Sequence, residues 1–141
     1  MIKLKEISGN IIRLDLFKST DLSPDIISKE GFKYNPEYKS DNFKSGIYFG
    51  TNLKQVKRFG KYLYKASVDI EDSKLYQIEE SNYNKLVKQG KTTDEYVQKN
   101  GYEAVVIWDV IYSGNKAGSE VILYYPKKQI KDIQYIGENI D

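Results

Sequence analysis

No apolar run in this chain is longer than a handful of residues, and most apolar stretches alternate with polar side chains or stop at a glycine, proline or aspartate. Alternation with a period of two places every second side chain on one face of a strand, so these stretches predict strands that each bury one face. Nothing approaches the roughly 20 apolar residues a membrane helix requires. The charged start Met1-Ile2-Lys3-Leu4-Lys5-Glu6 also lacks the apolar core of a signal peptide. The expectation is a cytoplasmic protein with no membrane partner. With no repeat, linker or low-complexity tract in its 141 residues, it reads as one domain over residues 1–141.

Local signals give the order of elements. Ile11 to Phe17 predicts an early, central strand. Ser23-Pro24 supplies a helix start, Ile26-Ile27 its apolar face and Gly31 its stop. Gly46-Ile47-Tyr48-Phe49-Gly50 is a short strand, after which Thr51 or Asn52 caps a helix from Leu53 to Phe59 that ends at Gly60. Tyr62 to Ile70 predicts a strand, Asp72-Ser73 a turn, and Leu75 to Ile78 a further short strand. Two polar surface helices follow, Ser81 to Gln89 and Thr93 to Asn100. Ala104 to Trp108, Ser119 to Tyr125 and Ile130 to Ile136 are strands by β-branched and aromatic content, with Ser113 to Gly118 expected to be a mobile loop. Strands dominate the end and helices the middle, which predicts an α+β fold with a mixed or antiparallel sheet.

The composition narrows the chemistry. There is no cysteine and no histidine, which removes disulfides, thiolate metal sites, the nucleophilic cysteine and the serine–histidine triad. Carboxylates, lysine, tyrosine and hydroxyls remain. No metal-ligand spacing, Walker motif or dinucleotide fingerprint occurs; Asp69-Ile70-Glu71-Asp72 reads as a solvated loop, and Lys127-Lys128 with Lys131 as a solvated strand end. Basic residues exceed acidic ones by 22 to 20, a net charge of +2 that favours no nucleic-acid or membrane surface, yet leaves a nucleic-acid acceptor open.

Three signals stand in a fixed order: a strand ending Leu16-Phe17-Lys18-Ser19-Thr20, the glycine-flanked Gly46-Ile47-Tyr48-Phe49-Gly50 running into a helix, and Gly118-Ser119-Glu120-Val121-Ile122-Leu123. This order resembles the three-part signature of ADP-ribosyltransferase-like domains: a first strand ending in histidine or arginine, a second with an aromatic residue, and a later one opening with glutamate. The resemblance extends over nearly the whole chain. It implies a split mixed or antiparallel β-sheet with short flanking helices, with NAD held between its halves. Small stand-alone members act as toxins or as phage factors that modify host proteins, which would place this one in a host cytoplasm.

On that resemblance Glu120 is the catalytic carboxylate, hydrogen-bonding the nicotinamide ribose and stabilising the cationic sugar formed as the C–N bond breaks. Tyr48 would stack the nicotinamide ring, Gly46 would admit the ligand close to the backbone, and Phe59 or Tyr62 would form a second wall. Lys18 stands where the family has histidine or arginine and would anchor the diphosphate without a planar fork, helped by Ser19 and Thr20. Arg13, inside its strand, is the other cation that could meet an anion. Gly118 replaces the acid that members modifying arginine carry two residues before the glutamate. NAD is thus the expected substrate, with no metal, and the acceptor a host protein or other macromolecule. Read without the resemblance, Glu120 is a strand-edge carboxylate paired with a lysine, Tyr48, Phe59 and Tyr62 are core aromatics, and Lys18 is an exposed lysine. Two further functions stay open: a non-catalytic module that binds an NAD-derived nucleotide or blocks a host protein, and a phage structural protein using only the scaffold.

Overall fold

The alternation in the sequence is realised as one mixed sheet with helices against it. A computed structural model describes residues 5–8, 11–33, 43, 45–112 and 115–139. The strands are β1 (Lys5–Ser8), β2 (Ile11–Thr20), β3 (Ile47–Gly50), β4 (Tyr62–Glu71), β5 (Leu75–Glu79), β6 (Ala104–Tyr112), β7 (Asn115–Leu123) and β8 (Ile130–Glu138). The helices are α1 (Pro24–Glu30), α2 (Leu53–Val56), α3 (Glu80–Lys88), α4 (Asp94–Lys99) and α5 (Pro126–Gln129). The fold is α+β, with strand order β5-β6-β7-β3-β2-β4-β8 and β1 beside β2. β5 and β6 run parallel and every other pair is antiparallel. Among the described residues no helix is long and apolar enough to cross a membrane.

Two three- and four-stranded halves, β2-β4-β8 and β5-β6-β7-β3, meet at a seam. β2 pairs with β4 along its whole length, from Ile11↔Glu71 to Thr20↔Tyr62, but with β3 through Phe17↔Gly50 alone. Strand parity then assigns the two faces. On the first face Leu14, Leu16, Phe49, Ala66, Val68, Val106, Val121 and Leu123 form one core with Ile27 of α1 and Phe32. On the second face Val105, Ile107, Ile122 and Ile78 pack with Val97 of α4, and Tyr48 lies against them.

The helix signals work as read. Pro24 opens α1, and Gly31, in the left-handed region at φ +70°, donates from its N–H to Ile27 O at 2.8 Å. Asn52, not Thr51, caps α2, its side chain accepting from Lys54 N; the segment Lys57–Phe59 continues it as a 3₁₀ turn. Thr93 caps α4 by accepting from Tyr96 N. The two middle helices differ, since α3 packs only the partly buried Tyr83 and Leu86 against the core whereas Val97 of α4 is fully buried in it.

Four expectations change. Lys5–Ser8, too charged to read as a strand, pairs with Ile11–Arg13 through its backbone. The expected loop before Gly118 is strand from Asn115 on, because β6 runs through to Tyr112 and carries β7 with it as a hairpin; Ser113 and Gly114 lie outside the described residues. Asp69 and Glu71 belong to β4, and Asp69 accepts both Nε and Nη2 of Arg13 at 2.8 and 3.0 Å, so Arg13 is tied within the sheet. Pro126, expected only to end a strand, opens the short helix α5.

Candidate functional site

The site grows from one row of residues on the second face. Register carries it from Phe17 of β2 to Gly50 of β3, Glu120 of β7 and Ile107 of β6. Tyr48 sits opposite Ile122, so it and Glu120 are diagonal neighbours on the same face, roughly 7 Å apart by strand geometry. The resemblance placed these two residues together, and the register does so too.

Gly50 makes room for what covers the row. A Cβ on it would stand 2.7 Å from Gln55 Oε1 and from Val56 Cγ1, so α2 can lie on the strand only because the side chain is missing. Gly118 does the same on β7, at φ +135° and 2.7 Å from Gln55 Oε1. Between them α2 is locked to β7. Ser119 N donates to Thr51 Oγ1 at 2.9 Å, Gln55 Nε2 donates to Ser119 O at 3.0 Å, and Thr51 N donates to Gln55 Oε1 at 3.1 Å. Gln55 and Ser119 are buried, and this reciprocal set satisfies them.

On the far side of Glu120 the β6–β7 ladder is irregular. The register shifts between Ile107 and Val110, Asp109 takes φ +56°, and its N–H donates to Ser119 Oγ at 3.0 Å. Such a bulge bends the strand and re-aims side chains. Glu80, the first residue of α3, comes close here: burial first, and then the charge of Glu120, raise its carboxyl above the ordinary range. The charges of the two carboxylates are therefore coupled at this end of the sheet. Nothing in the sequence singles out Glu80, because Glu79-Glu80 looks like an ordinary polar helix start; Thr51 reads only as a possible cap, Ser119 as the start of a strand, and Gln55 carries no signal at all. No periodicity marks Glu80; the β5–β6–β7 register brings Ile78, two residues before it, into the row of Glu120.

The residues expected to hold the rest of the nucleotide are mostly engaged by the fold itself. Lys18 shares parity with Leu14 and Leu16 and pairs with Tyr64, which puts it on the first face, opposite Glu120. Its ammonium donates to Tyr48 O at 2.7 Å and lies 5.3 Å from the centroid of the Phe49 ring. Tyr48 O points into the seam, where β3 has no ladder partner from β2, and Lys18 supplies the missing donor. Part of the side chain remains accessible, but the ammonium is enclosed, and burial lowers it from 10.5 to about 8. It is neither an exposed lysine nor a free anchor. Ser19 is buried and donates to Val56 O, which fixes α2 to β2. Thr20 accepts from Leu22 N at 3.2 Å in a turn. Gly46 is buried under Ile122 and Tyr124, where no side chain fits. Phe59 is 49% exposed, and Tyr62 lies on the first face against Tyr135, so Tyr62 is no wall for a ring at Tyr48.

What the second-face row can do chemically is hold a cationic or hydroxyl-bearing group at Glu120 while a flat ring rests at Tyr48. No protein-family model and no curated protein matches the chain.

Proposed function

We propose that the protein binds NAD or a nucleotide derived from it beside the seam on the second face and cleaves the nicotinamide glycosidic bond. The observation that carries this reading is the adjacency of Tyr48 and Glu120 on one face, in the row where the halves of the sheet join. The α+β class and the mixed sheet are compatible with the ADP-ribosyltransferase-like reading of the sequence. In the reaction the bond from ribose C1′ to the pyridinium nitrogen breaks, its electron pair leaves with nicotinamide, and the cationic sugar is held by the Glu120 carboxylate until an acceptor oxygen or nitrogen attacks C1′. The proton that the acceptor loses is assigned to Glu80, whose carboxyl is raised by burial and then by the charge of Glu120.

A second reading has its own observation. Lys18 faces away from Glu120 and its ammonium is held by Tyr48 O, so the expected diphosphate anchor is missing from this face. That favours a module which binds a nucleotide, or a host protein, without turnover. Free nicotinamide released from NAD, with and without a cell lysate as acceptor, separates the two. Release that is lost in Glu120→Gln supports the enzyme. Release that survives in that variant removes Glu120 from the chemistry, and binding without release leaves the module.

A further inference from the structure

We propose that a second site, at the end of β7 away from Glu120, takes a mononucleotide: a planar aromatic ring carrying one phosphate. The residues Phe32, Lys33, Tyr124, Tyr125, Pro126, Lys127 and Lys128 line a cavity of about 400 Å³. That lies within the range of roughly 300–1,000 Å³ that small-molecule sites occupy. Tyr124 is four residues beyond Glu120, just past the end of β7 and about 13 Å along the chain, so the cavity lies away from Glu120, although Tyr124 packs in the same cluster as Tyr48.

Its walls are apolar and flat, and its charges have one sign. Tyr125 leaves 48% of its surface exposed, beside Pro126. Its backbone is fixed, because Tyr125 N donates to Gln129 Oε1 at 3.1 Å and Tyr125 O accepts from Gln129 N at 3.0 Å. Gln129 is buried and donates onward to Glu103 O at 2.9 Å. A ring held on a fixed backbone loses little freedom when another ring stacks on it. Among the described residues three lysines line the cavity and no carboxylate does. Lys33 pairs with Glu30 at 2.8 Å and Lys128 with Glu103 at 2.9 Å, which leaves Lys127 without a partner among the described residues. The surplus is one positive charge next to an exposed aromatic face. A phosphate on a flat ring matches both features at once, whereas a bare anion uses only the lysine and a neutral ring only the tyrosine.

The test titrates adenosine 5′-monophosphate, adenosine and inorganic phosphate separately into the isotope-labelled protein and follows backbone amide shifts. The monophosphate is expected to move the amides of Tyr125, Lys127 and Lys128, and to bind more tightly than either of its parts. Lys127→Gln should weaken the monophosphate about tenfold and leave adenosine unchanged. Tyr125→Ala should weaken both by at least about fivefold. Both side chains are exposed, so neither change threatens folding. Glu120→Gln should leave monophosphate affinity at this site unchanged, which keeps the result independent of the proposed NAD chemistry. Shifts confined to Tyr48 and Glu120, equal affinity for inorganic phosphate and the monophosphate, or an unaltered constant in Lys127→Gln would each overturn the proposal.

Discussion

Replacing Lys18 by methionine should remove a pH dependence of stability that the native protein carries. Burial lowers the Lys18 ammonium from 10.5 to about 8, with no carboxylate near it to offset the loss of water. Its folded-state value is below its unfolded one, so between these values the unfolded chain holds the extra proton. Stability therefore rises with pH through this window and is least below pH 8, where the enclosed amine must stay charged. At roughly 1.36 kcal/mol per unit, the penalty at neutral pH is at most about 3 kcal/mol, and about 2 kcal/mol of it is relieved between about pH 7.5 and 9.5. The window stops there because Tyr64 and Tyr76, raised to about 12 mainly by burial, begin to favour the unfolded chain above pH 10. Urea unfolding read by the fluorescence of Trp108 gives stability at each pH. Methionine keeps the length of the side chain but neither the charge nor the bond to Tyr48 O. Its loss of that bond and its relief from enclosing a charge offset each other to within about 2 kcal/mol, so the diagnostic quantity is the slope. A flat profile for Lys18→Met beside a rising native one is expected. Parallel profiles would refute the enclosed ammonium.

Gly118→Ala should lose about 2–4 kcal/mol by thermal unfolding, since a Cβ there meets Gln55 Oε1 at 2.7 Å and Thr51 Oγ1 at 3.0 Å on a backbone at φ +135°. Gly137→Ala, at φ +125° with nothing within 4 Å, should lose about 1 kcal/mol, and equal losses would show that the α2 contact does not matter. Glu120→Gln should bring the Glu80 carboxyl partway back toward its ordinary range, the part due to burial remaining; a carbon-detected titration that does not move would separate the two carboxylates.

Much of this arrangement was legible in particular residues. Pro24 and Gly31 bound a helix because one fits its first turn and the other its left-handed exit. Lys18 shows where a readable signal was overridden. Ile12, Leu14, Leu16 and Lys18 share one parity, so the alternation of β2 already puts the lysine on the buried face; matching it to a motif position hid this. Glu80 is the opposite case. Its coupling to Glu120 depends on the parallel pairing Ile78↔Ile107 and the antiparallel pairing Ile107↔Glu120, which bring the end of β5 to the row and which no local pattern encodes. Lys5–Ser8 and Asn115–Gly118 became strands because neighbouring strands offered open backbone groups, a tertiary effect that outweighs weak β propensity.

The seam also divides the protein in time. Residues 75–123 supply β5, α3, α4, β6 and β7 as one unbroken stretch, with only β3 of that half coming from earlier in the chain, whereas the other half draws β2, β4 and β8 from three distant parts of the sequence. During synthesis, then, β4 can pair with β2 early but keeps its second edge open until β8 leaves the ribosome and Ala66 meets Ile133. That edge belongs to a strand whose alternate residues, Tyr64, Ala66, Val68 and Ile70, are all buried in the finished protein. From the completion of β4 until β8 is made, the nascent chain exposes the surface on which intermolecular strand pairing begins, and a ribosome stalled short of residue 130 would leave it exposed for good.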